Sequence, residues 1–128
     1  MNGTGSIADM DVGADIVNGS GVHNHHARII TLCGSVRFRD AFEKAQHHLT
    51  QEGYIVLTPG LFLAPGDAPL SDDQISQLND LHLRRIDMAD EILVIHADGY
   101  IGSQTKKEIE YAKAKGKHVA YLESVETS

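Results

Sequence analysis

The stretch IITLCGS at residues 29–35 decides the fold, because it has the pattern of a buried strand that ends in a tight turn. Its first five residues are mostly aliphatic and β-branched, as expected for a strand that is covered on both faces. Apolar residues then recur at helical spacing from Phe38 to Leu49, and Gly53 follows where a helix C-cap is expected. The segment therefore predicts a strand, a turn and a helix.

The same alternation continues along the chain. The remaining predicted elements, in order, are strand 54–57, helix 71–88, strand 92–95, helix 103–115 and strand 119–122. Ser71, followed by two aspartates, predicts an N-cap. Strands that alternate with helices predict a single small α/β domain of the doubly wound, Rossmann- or flavodoxin-like class, with a parallel sheet of four to five strands flanked by helices. Ligands of such sheets bind at the carboxyl ends of the strands.

This pattern is confined to residues 27–124. Residues 1–26 are rich in Gly, Asn, Ser, Asp and His and show no sustained period, so we expect a disordered leader there and a flexible C-terminus at 125–128. Three histidines between residues 23 and 26 are metal-ligand types. Because ordering a mobile segment costs entropy, we expect no metal site in the leader.

Composition narrows the functional class. A chain of 128 residues with 41% hydrophobic residues is one domain in size. Its net charge of −7 argues against a nucleic-acid polymer or an anionic membrane as the partner. Cys33 is the single cysteine, and we find no secretory signal or membrane-length apolar run. We therefore expect a cytoplasmic protein that acts on a small molecule, with no metal or other cofactor.

The turn after the first strand has residues that suit a phosphate. Gly34 lets the backbone approach a ligand closely, the following helix offers free N–H groups beside Ser35, and Arg37 can make a bidentate contact. Such turns also simply connect strands to helices, so the turn alone leaves both interpretations open. No G-x-G-x-x-G motif follows the strand, which excludes the dinucleotide fingerprint.

A second turn, at residues 102–108, precedes the last predicted helix. Ser103 or Thr105 is predicted to cap this helix, whose first N–H groups would face the same cleft. Glu108 shares a helical face with Ile109, which predicts that its carboxylate points inward or along the cleft rim. The alternative is a partly exposed glutamate that pairs with a neighbouring lysine.

Three short motifs occur in an order that is similar to a known family. They are Cys33-Gly34-Ser35-x-Arg37 after the first strand, Ala89-Asp90 before the third, and Glu108-Ile109-x-Tyr111-Ala112 followed by Gly116-Lys117. Together they resemble the nucleoside 2-deoxyribosyltransferase-like family, which also contains N-glycosidases of nucleoside 5′-monophosphates. The similarity extends over nearly the whole predicted domain.

The resemblance implies that Glu108 is the nucleophile that attacks the sugar C1′, which gives a glycosyl-enzyme that water or another base resolves. It also implies a phosphate site at Ser35, Arg37 and Ser103. Transferases of free nucleosides usually carry an aspartate near the last of these positions, where this chain has Gly102 and Ser103. The full set of predicted substrate- and phosphate-binding residues is Gly34, Ser35, Arg37, Asp98, Gly102, Ser103 and Thr105.

The group that protonates the leaving base is less well defined. A family aspartate that contacts the sugar or base falls at His82, which could be a neutral donor, a proton shuttle or a surface histidine. The other candidates are Asp87, Asp90, His96 and Asp98. We take His82 and Asp90 as the catalytic residues that accompany Glu108.

The leading hypothesis is therefore an enzyme that hydrolyses the N-glycosidic bond of a (deoxy)nucleoside 5′-monophosphate. The alternatives are a nucleoside 2-deoxyribosyltransferase, which exchanges bases, and a nucleotide-binding module that does not cleave its ligand. The resemblance also implies a homodimer or a higher homo-oligomer. The loop from about residue 59 to residue 70 is expected to shape the base pocket.

Overall fold

The computed structural model describes residues 27–60 and 66–123; the predicted leader and the predicted flexible C-terminus lie outside these ranges. Its elements are β1 (Ile29–Gly34), a 3-10 turn (Val36–Phe38), α1 (Arg39–Gln51), β2 (Ile55–Leu57), α2 (Asp72–Met88), β3 (Glu91–His96), α3 (Ser103–Ala114) and β4 (His118–Glu123). This is the predicted order of strands and helices. Within the described ranges, no helix is long and apolar enough to cross a lipid bilayer.

The four strands form one parallel sheet in the order β2-β1-β3-β4. Thr31 of β1 lies between Leu57 of β2 and Ile92 of β3, so β1 is a central strand. The chain proceeds outward from β1 to β2 and then returns to β3 on the other side. This arrangement confirms the predicted doubly wound α/β class.

Helices cover both faces of the sheet. On one face, Leu32 of β1 packs in a cluster with Phe42 of α1. On the other face, Cys33 of the same strand packs with Ile86 of α2 and Ile109 of α3. Because α1 follows β1 on one face and α3 follows β3 on the opposite face, a crevice opens between the carboxyl ends of β1 and β3.

Helix α2 is fixed at both ends. Ser71 forms a capping box, in which its Oγ accepts from the Gln74 backbone N–H at 3.1 Å and the Gln74 side chain accepts from the Ser71 N–H at 2.8 Å. Near the other end, the buried Thr31 hydroxyl donates to the Arg85 carbonyl at 2.9 Å. The predicted N-cap is confirmed, and the helix is held in a defined position against β1.

Candidate active site

A cleft of about 790 Å³ opens at the carboxyl ends of the strands. Its walls come from the turn after β1, the segment that follows β2, one face of α2, the loop after β3 and the first two turns of α3. The cleft is also lined by both described ends of the loop that was predicted to shape the base pocket. These are Pro59 with Gly60 at one end and Leu70 at the other. The volume is in the range of small-molecule sites in proteins.

The turn after β1 forms one wall. The backbone of Gly34 has a φ of +143°, and a Cβ at this position would lie 2.5 Å from the Ile95 carbonyl oxygen. The Ser35 hydroxyl accepts from the Arg37 N–H at 3.3 Å and so caps the 3-10 turn. Close packing of β1 against β3 therefore requires glycine, and the turn presents Ser35 and Arg37 to the cleft.

Two aromatic rings hold Arg37 in place. Its guanidinium carbon lies 5.1 Å from the centroid of the Phe38 ring and 4.9 Å from that of Tyr100. These cation–π contacts orient the side chain and leave its N–H donors available. Among residues 27–60 and 66–123, no carboxylate forms an ion pair with Arg37.

Helix α3 begins without the predicted side-chain cap. Gly102 is the N-cap residue, and no side chain bonds to the first N–H groups, so the prediction that Ser103 or Thr105 caps the helix is wrong. Thr105 is instead buried against the core at 6% exposure, and Ser103 lies exposed at the cleft rim. The helix N-terminus is thus open to a ligand, which its partial positive charge would attract if anionic.

Glu108 lies in the cleft wall with only 6% of its surface exposed. The Gln104 amide donates to its Oε2 at 3.4 Å. Burial raises the pKa of Glu108, and hydrogen bonds from Gln104 and Cys33 partly offset this rise. In the described part of the chain no lysine or arginine forms an ion pair with it, so the alternative of an exposed glutamate paired with a lysine is wrong.

His82 and Cys33 lie next to Glu108. The ligand-type atoms of the three side chains are within 4.8 Å of one another, and all three residues are buried. His82 Nε2 lies 3.1 Å from the Leu32 carbonyl oxygen and 3.6 Å from Cys33 Sγ. Because a carbonyl only accepts, Nε2 carries the proton and Nδ1 is the acceptor.

The other side of His82 faces a cation. An Arg85 guanidinium nitrogen lies 3.4 Å from His82 Nδ1. Burial and this positive charge lower the pKa of His82 to about 4. His82 is buried, so the alternative of a surface histidine is wrong, and the catalytic role predicted for it stays a prediction.

The cluster of Cys33, His82 and Glu108 has the ligand types of a metal site, but its surroundings do not fit one. A metal ion on His82 Nε2 would need a proton on Nδ1, since metal-bound histidines normally donate from the other nitrogen. Here Nδ1 faces the donor groups of Arg85, and Nε2 is already directed at a carbonyl. The arrangement suits a neutral imidazole that lies next to the Glu108 carboxylate.

The acid/base candidates from the sequence lie elsewhere. Asp90 precedes β3 at the amino ends of the strands, where its Oδ2 accepts from the Ile29 N–H at 2.8 Å. The cleft is at the opposite ends of the strands, so the structure does not bring Asp90 together with Glu108. Asp98 is exposed in a turn with a φ of +53° and does not line the cleft, and neither does Asp87 or His96.

Sequence reasoning missed the roles of two residues that line the cleft, Gln104 and Arg85, and of Cys33, which is buried next to Glu108. Helical spacing could have found two of them. Gln104 is four residues before Glu108, and Arg85 is three residues after His82, so each pair shares a helix face. Cys33 has no such signal, because in the sequence it is one of several apolar residues in a buried strand.

The lowered pKa of His82 predicts a loss of stability in acid. Between about pH 6.5 and pH 4 the unfolded chain binds a proton that the buried imidazole excludes, so the free energy of unfolding falls as the pH decreases. From pH 7 to pH 5 this single group should contribute a loss of about 2 kcal/mol. Urea unfolding at the two pH values measures it.

The matched variant is His82→Gln, whose amide can donate to the Leu32 carbonyl and accept from Arg85 without titrating. Between pH 7 and pH 5, the free energy of unfolding of this variant should fall by about 2 kcal/mol less than that of the wild type. Equal pH dependence in the wild type and the variant would contradict the lowered pKa of His82 in the folded protein.

The chain has the fold of solved 2-deoxyribosyltransferases. The 2-deoxyribosyltransferase from the psychrotolerant bacterium Bacillus psychrosaccharolyticus matches with a TM-score of 0.63 and 21% identity, over 78% of this chain and 75% of that one. The enzyme from Leishmania mexicana matches with a TM-score of 0.58 and 15% identity, over 77% of this chain and 65% of that one. The fold implied by the sequence motifs is confirmed.

Residues 31–121 match the family described as a domain of unknown function, DUF4406, and the chain belongs to this family. No curated protein matches the sequence. The family match covers all four strands in whole or in part, together with the helices between them. It therefore includes every residue that lines the cleft.

Proposed function

We propose that this protein is an enzyme that hydrolyses the N-glycosidic bond of a (deoxy)nucleoside 5′-monophosphate, with Glu108 as the nucleophile. The observation that carries the proposal is the buried Glu108 carboxylate, which lines the cleft without a cationic partner in the described residues. Burying such a group costs stability, and groups of this kind cluster at functional sites. The family resemblance assigns the same role to the same residue.

In the proposed reaction a Glu108 carboxylate oxygen attacks C1′ of the sugar. The C1′–N bond breaks, its electron pair stays on the base, and a glycosyl-enzyme forms. Water then attacks C1′ and releases the carboxylate. Gln104 is suited to orient the nucleophile because its amide donates to Oε2 at 3.4 Å.

Several features favour a phosphate-bearing substrate. Ser35 and Arg37 line the cleft on one side of Glu108, and the uncapped N-terminus of α3 lines it at Gly102 and Ser103. Free N–H groups at a helix N-terminus and a preoriented guanidinium are typical phosphate ligands. No carboxylate is present at positions 102 and 103 to repel the phosphate.

Base exchange is the second candidate function. The solved structures of similar fold are described as 2-deoxyribosyltransferases, which favours it. It would use the same glycosyl-enzyme, with an acceptor base in place of water. The neutral residues Gly102 and Ser103, where transferases of free nucleosides usually carry an aspartate, count against it. A nucleotide-binding module without catalysis is the third alternative.

One incubation experiment separates the three functions. The wild type is incubated with ribo- and deoxyribonucleoside 5′-monophosphates and the matching nucleosides, with and without a free acceptor base, and the products are separated by chromatography. Hydrolysis gives free base and sugar phosphate. Base exchange gives a new nucleoside or nucleotide faster than free sugar. Tight binding with unchanged ligand would contradict both enzyme hypotheses.

The phosphate site gives a prediction for Arg37. Arg37→Gln should raise the KM for a nucleoside 5′-monophosphate by about 10-fold or more, because a charged hydrogen bond to phosphate is lost. The KM for the corresponding nucleoside should change by less than about twofold. Steady-state kinetics with both substrates measures the difference.

Lys107→Gln is the matched control, since Lys107 is an exposed cation on α3 that does not line the cleft. It removes the same charge from the protein and should leave both KM values unchanged. An equal rise in KM for the nucleotide and the nucleoside in Arg37→Gln would place the phosphate elsewhere.

We also propose, from the family resemblance, that the protein is a homodimer or a higher homo-oligomer. From the sequence pattern and composition, we propose that residues 27–124 fold as one domain and that the protein is cytoplasmic. Light scattering after size exclusion would measure the mass of the assembly. A monomer at working concentrations would contradict the dimer.

A further inference from the structure

Arg85 is a half-buried cation in the wall of the cleft. Its backbone carbonyl accepts from the buried Thr31 hydroxyl at 2.9 Å, which fixes the residue against β1. Its guanidinium contacts His82 Nδ1 at 3.4 Å, and a Cβ on Gly60 would lie 2.5 Å from its second terminal nitrogen. The glycine therefore leaves room for the guanidinium beside the end of β2.

This guanidinium has no anionic partner among residues 27–60 and 66–123, where it contacts a neutral imidazole. The neighbouring residues 61–65 contain no acid. A guanidinium has five donors and no acceptor, and holding it half-buried with donors unused costs stability. Such a group in a cleft is suited to a ligand that supplies acceptors.

The position of Arg85 relative to Glu108 follows from a chain of contacts. Arg85 contacts His82, and ligand-type atoms of His82 and Cys33 lie within 4.8 Å of those of Glu108. Glu108 also contacts Gln104, the neighbour of Ser103 at the open end of α3. Along this chain of contacts, Glu108 stands between the proposed phosphate ligand Ser103 and Arg85. A nucleotide with its phosphate at Ser103 and C1′ at Glu108 would extend its base towards Arg85.

The proposed reaction also needs a group that stabilises the leaving base. The carboxylates and the histidine that the sequence suggested for this step, Asp87, Asp90, His96 and Asp98, do not line the cleft. His82 donates its proton to a backbone carbonyl. Arg85 is a cation in the cleft wall that contacts His82, the histidine next to the nucleophile.

We propose that Arg85 binds the leaving base through an edge with two adjacent acceptors and stabilises the negative charge that develops there as the C1′–N bond breaks. This inference rests on the proposed function and names its substrate class, a 6-oxopurine nucleotide. The O6 and N7 atoms of guanine form such an edge, and arginine binds them in a bidentate manner. Adenine has an amino group at N6, which is a donor and therefore cannot accept a hydrogen bond from the guanidinium.

The step balances without a general acid. Glu108 forms a bond to C1′, the C1′–N9 pair passes to the purine, and the purine anion is held by two N–H donors of Arg85. Water attacks C1′ in the second step; its hydroxyl stays on the sugar and its proton ends on the purine. Arg85 acts only as a hydrogen-bond donor in both steps and transfers no proton.

The test compares 2′-deoxyguanosine and 2′-deoxyadenosine 5′-monophosphates in two assays. Calorimetric binding uses Glu108→Gln protein, which retains the cleft without the nucleophile. The guanine nucleotide should bind about 10- to 100-fold more tightly, and adding Arg85→Gln should reduce this ratio to near one. In the second assay, Arg85→Gln alone should lower the kcat for guanine release by about 100-fold.

Arg84→Gln is the matched control, because Arg84 is half-exposed on the same helix and pairs with Asp87 outside the cleft. It should leave both assays unchanged. Gly60→Ala is a second variant, in which the new methyl group displaces the guanidinium without removing it. It should also reduce the guanine preference. Circular dichroism establishes that each variant is folded.

The outcomes distinguish this inference from the proposed function. Equal losses of affinity for both nucleotides in Arg85→Gln would overturn it and indicate that Arg85 binds phosphate. An unchanged guanine preference and kcat in a folded Arg85→Gln would overturn it while hydrolysis stands. If the wild type cleaves neither nucleotide but the preference depends on Arg85, base recognition is supported and hydrolysis is wrong.

Discussion

Glu108→Gln should lower the rate constant for base release at least about 1,000-fold with the best nucleotide substrate. An amide oxygen is a poor nucleophile, so the glycosyl-enzyme no longer forms at a useful rate. The amide has nearly the same shape as the carboxylate and can still accept from Gln104, so nucleotide affinity should change by less than about 10-fold. Single-turnover kinetics and calorimetry measure the two quantities separately.

Glu110→Gln is the matched control, since Glu110 is an exposed glutamate two positions further along the same helix. It makes the same chemical change and should leave the rate unaltered. A Glu108→Gln protein whose rate is within tenfold of the wild type would contradict the assignment of the nucleophile.

Glu108→Gln should not lower the stability of the folded protein. Because burial raises the pKa of Glu108 in the folded protein, the folded state binds a proton more readily than the unfolded chain. The contribution of this group to stability therefore falls as the pH rises above the unfolded pKa, and the ionised form destabilises the fold at pH 7. Glutamine removes that charge, so the Tm at pH 7 should equal or exceed that of the wild type. Lost activity would then not reflect unfolding.

Gly34→Ala should lower the free energy of unfolding by roughly 3 to 5 kcal/mol. The new Cβ would lie 2.5 Å from the Ile95 carbonyl oxygen, which is backbone of the adjacent strand and cannot move without disturbing the sheet. The φ of +143° is also one that side chains rarely adopt. Urea unfolding followed by circular dichroism measures the loss.

Gly116→Ala separates the cost of the close contact from the cost of the backbone conformation. Gly116 has a φ of +77°, but a Cβ there would meet no atom within 4 Å, so only the backbone cost of about 1 to 2 kcal/mol remains. A Gly34→Ala variant that loses no more stability than Gly116→Ala would mean that β1 and β3 can separate at this point. The cleft wall would then be less rigid than its geometry indicates.

Much of the fold could be predicted from the sequence because its signals are local. The apolar β-branched run of β1 predicted burial on both faces, and Leu32 and Cys33 do pack on opposite faces. Ser71 is the predicted N-cap, and the structure shows it within a capping box. The inward orientation of Glu108 followed from helical spacing with Ile109, and both residues are buried.

The rest of the site depends on tertiary geometry. The catalytic role predicted for Asp90 did not take its position into account. A residue that precedes a strand lies at the amino end of that strand, away from the cleft. The role proposed for Arg85 could not be predicted, because it depends on the distance between Arg85 and Gly60, which lie near opposite ends of the connection between β2 and β3. The absence of a capping side chain on α3 depends on where the helix begins, a boundary that sequence patterns locate only to within a few residues.

The charge of the cleft differs from that of the whole protein. The net charge is −7, yet Arg37 and Arg85 line the cleft without carboxylate partners in the described ranges. Local donors of this kind can bind a small anion despite a negative average surface, whereas an extended polyanion would meet the whole surface. The arrangement favours a mononucleotide over a nucleic acid.

The most direct test of the central claim is to trap the intermediate on Glu108. The wild type is incubated with a nucleoside 5′-monophosphate that carries a 2′-fluoro-arabinosyl sugar, whose fluorine slows breakdown of a glycosyl-enzyme, and is then examined by mass spectrometry after proteolysis. We predict one added sugar phosphate on the peptide that contains Glu108, and none in Glu108→Gln. Base release with no adduct, or with the adduct on another residue, would contradict the account.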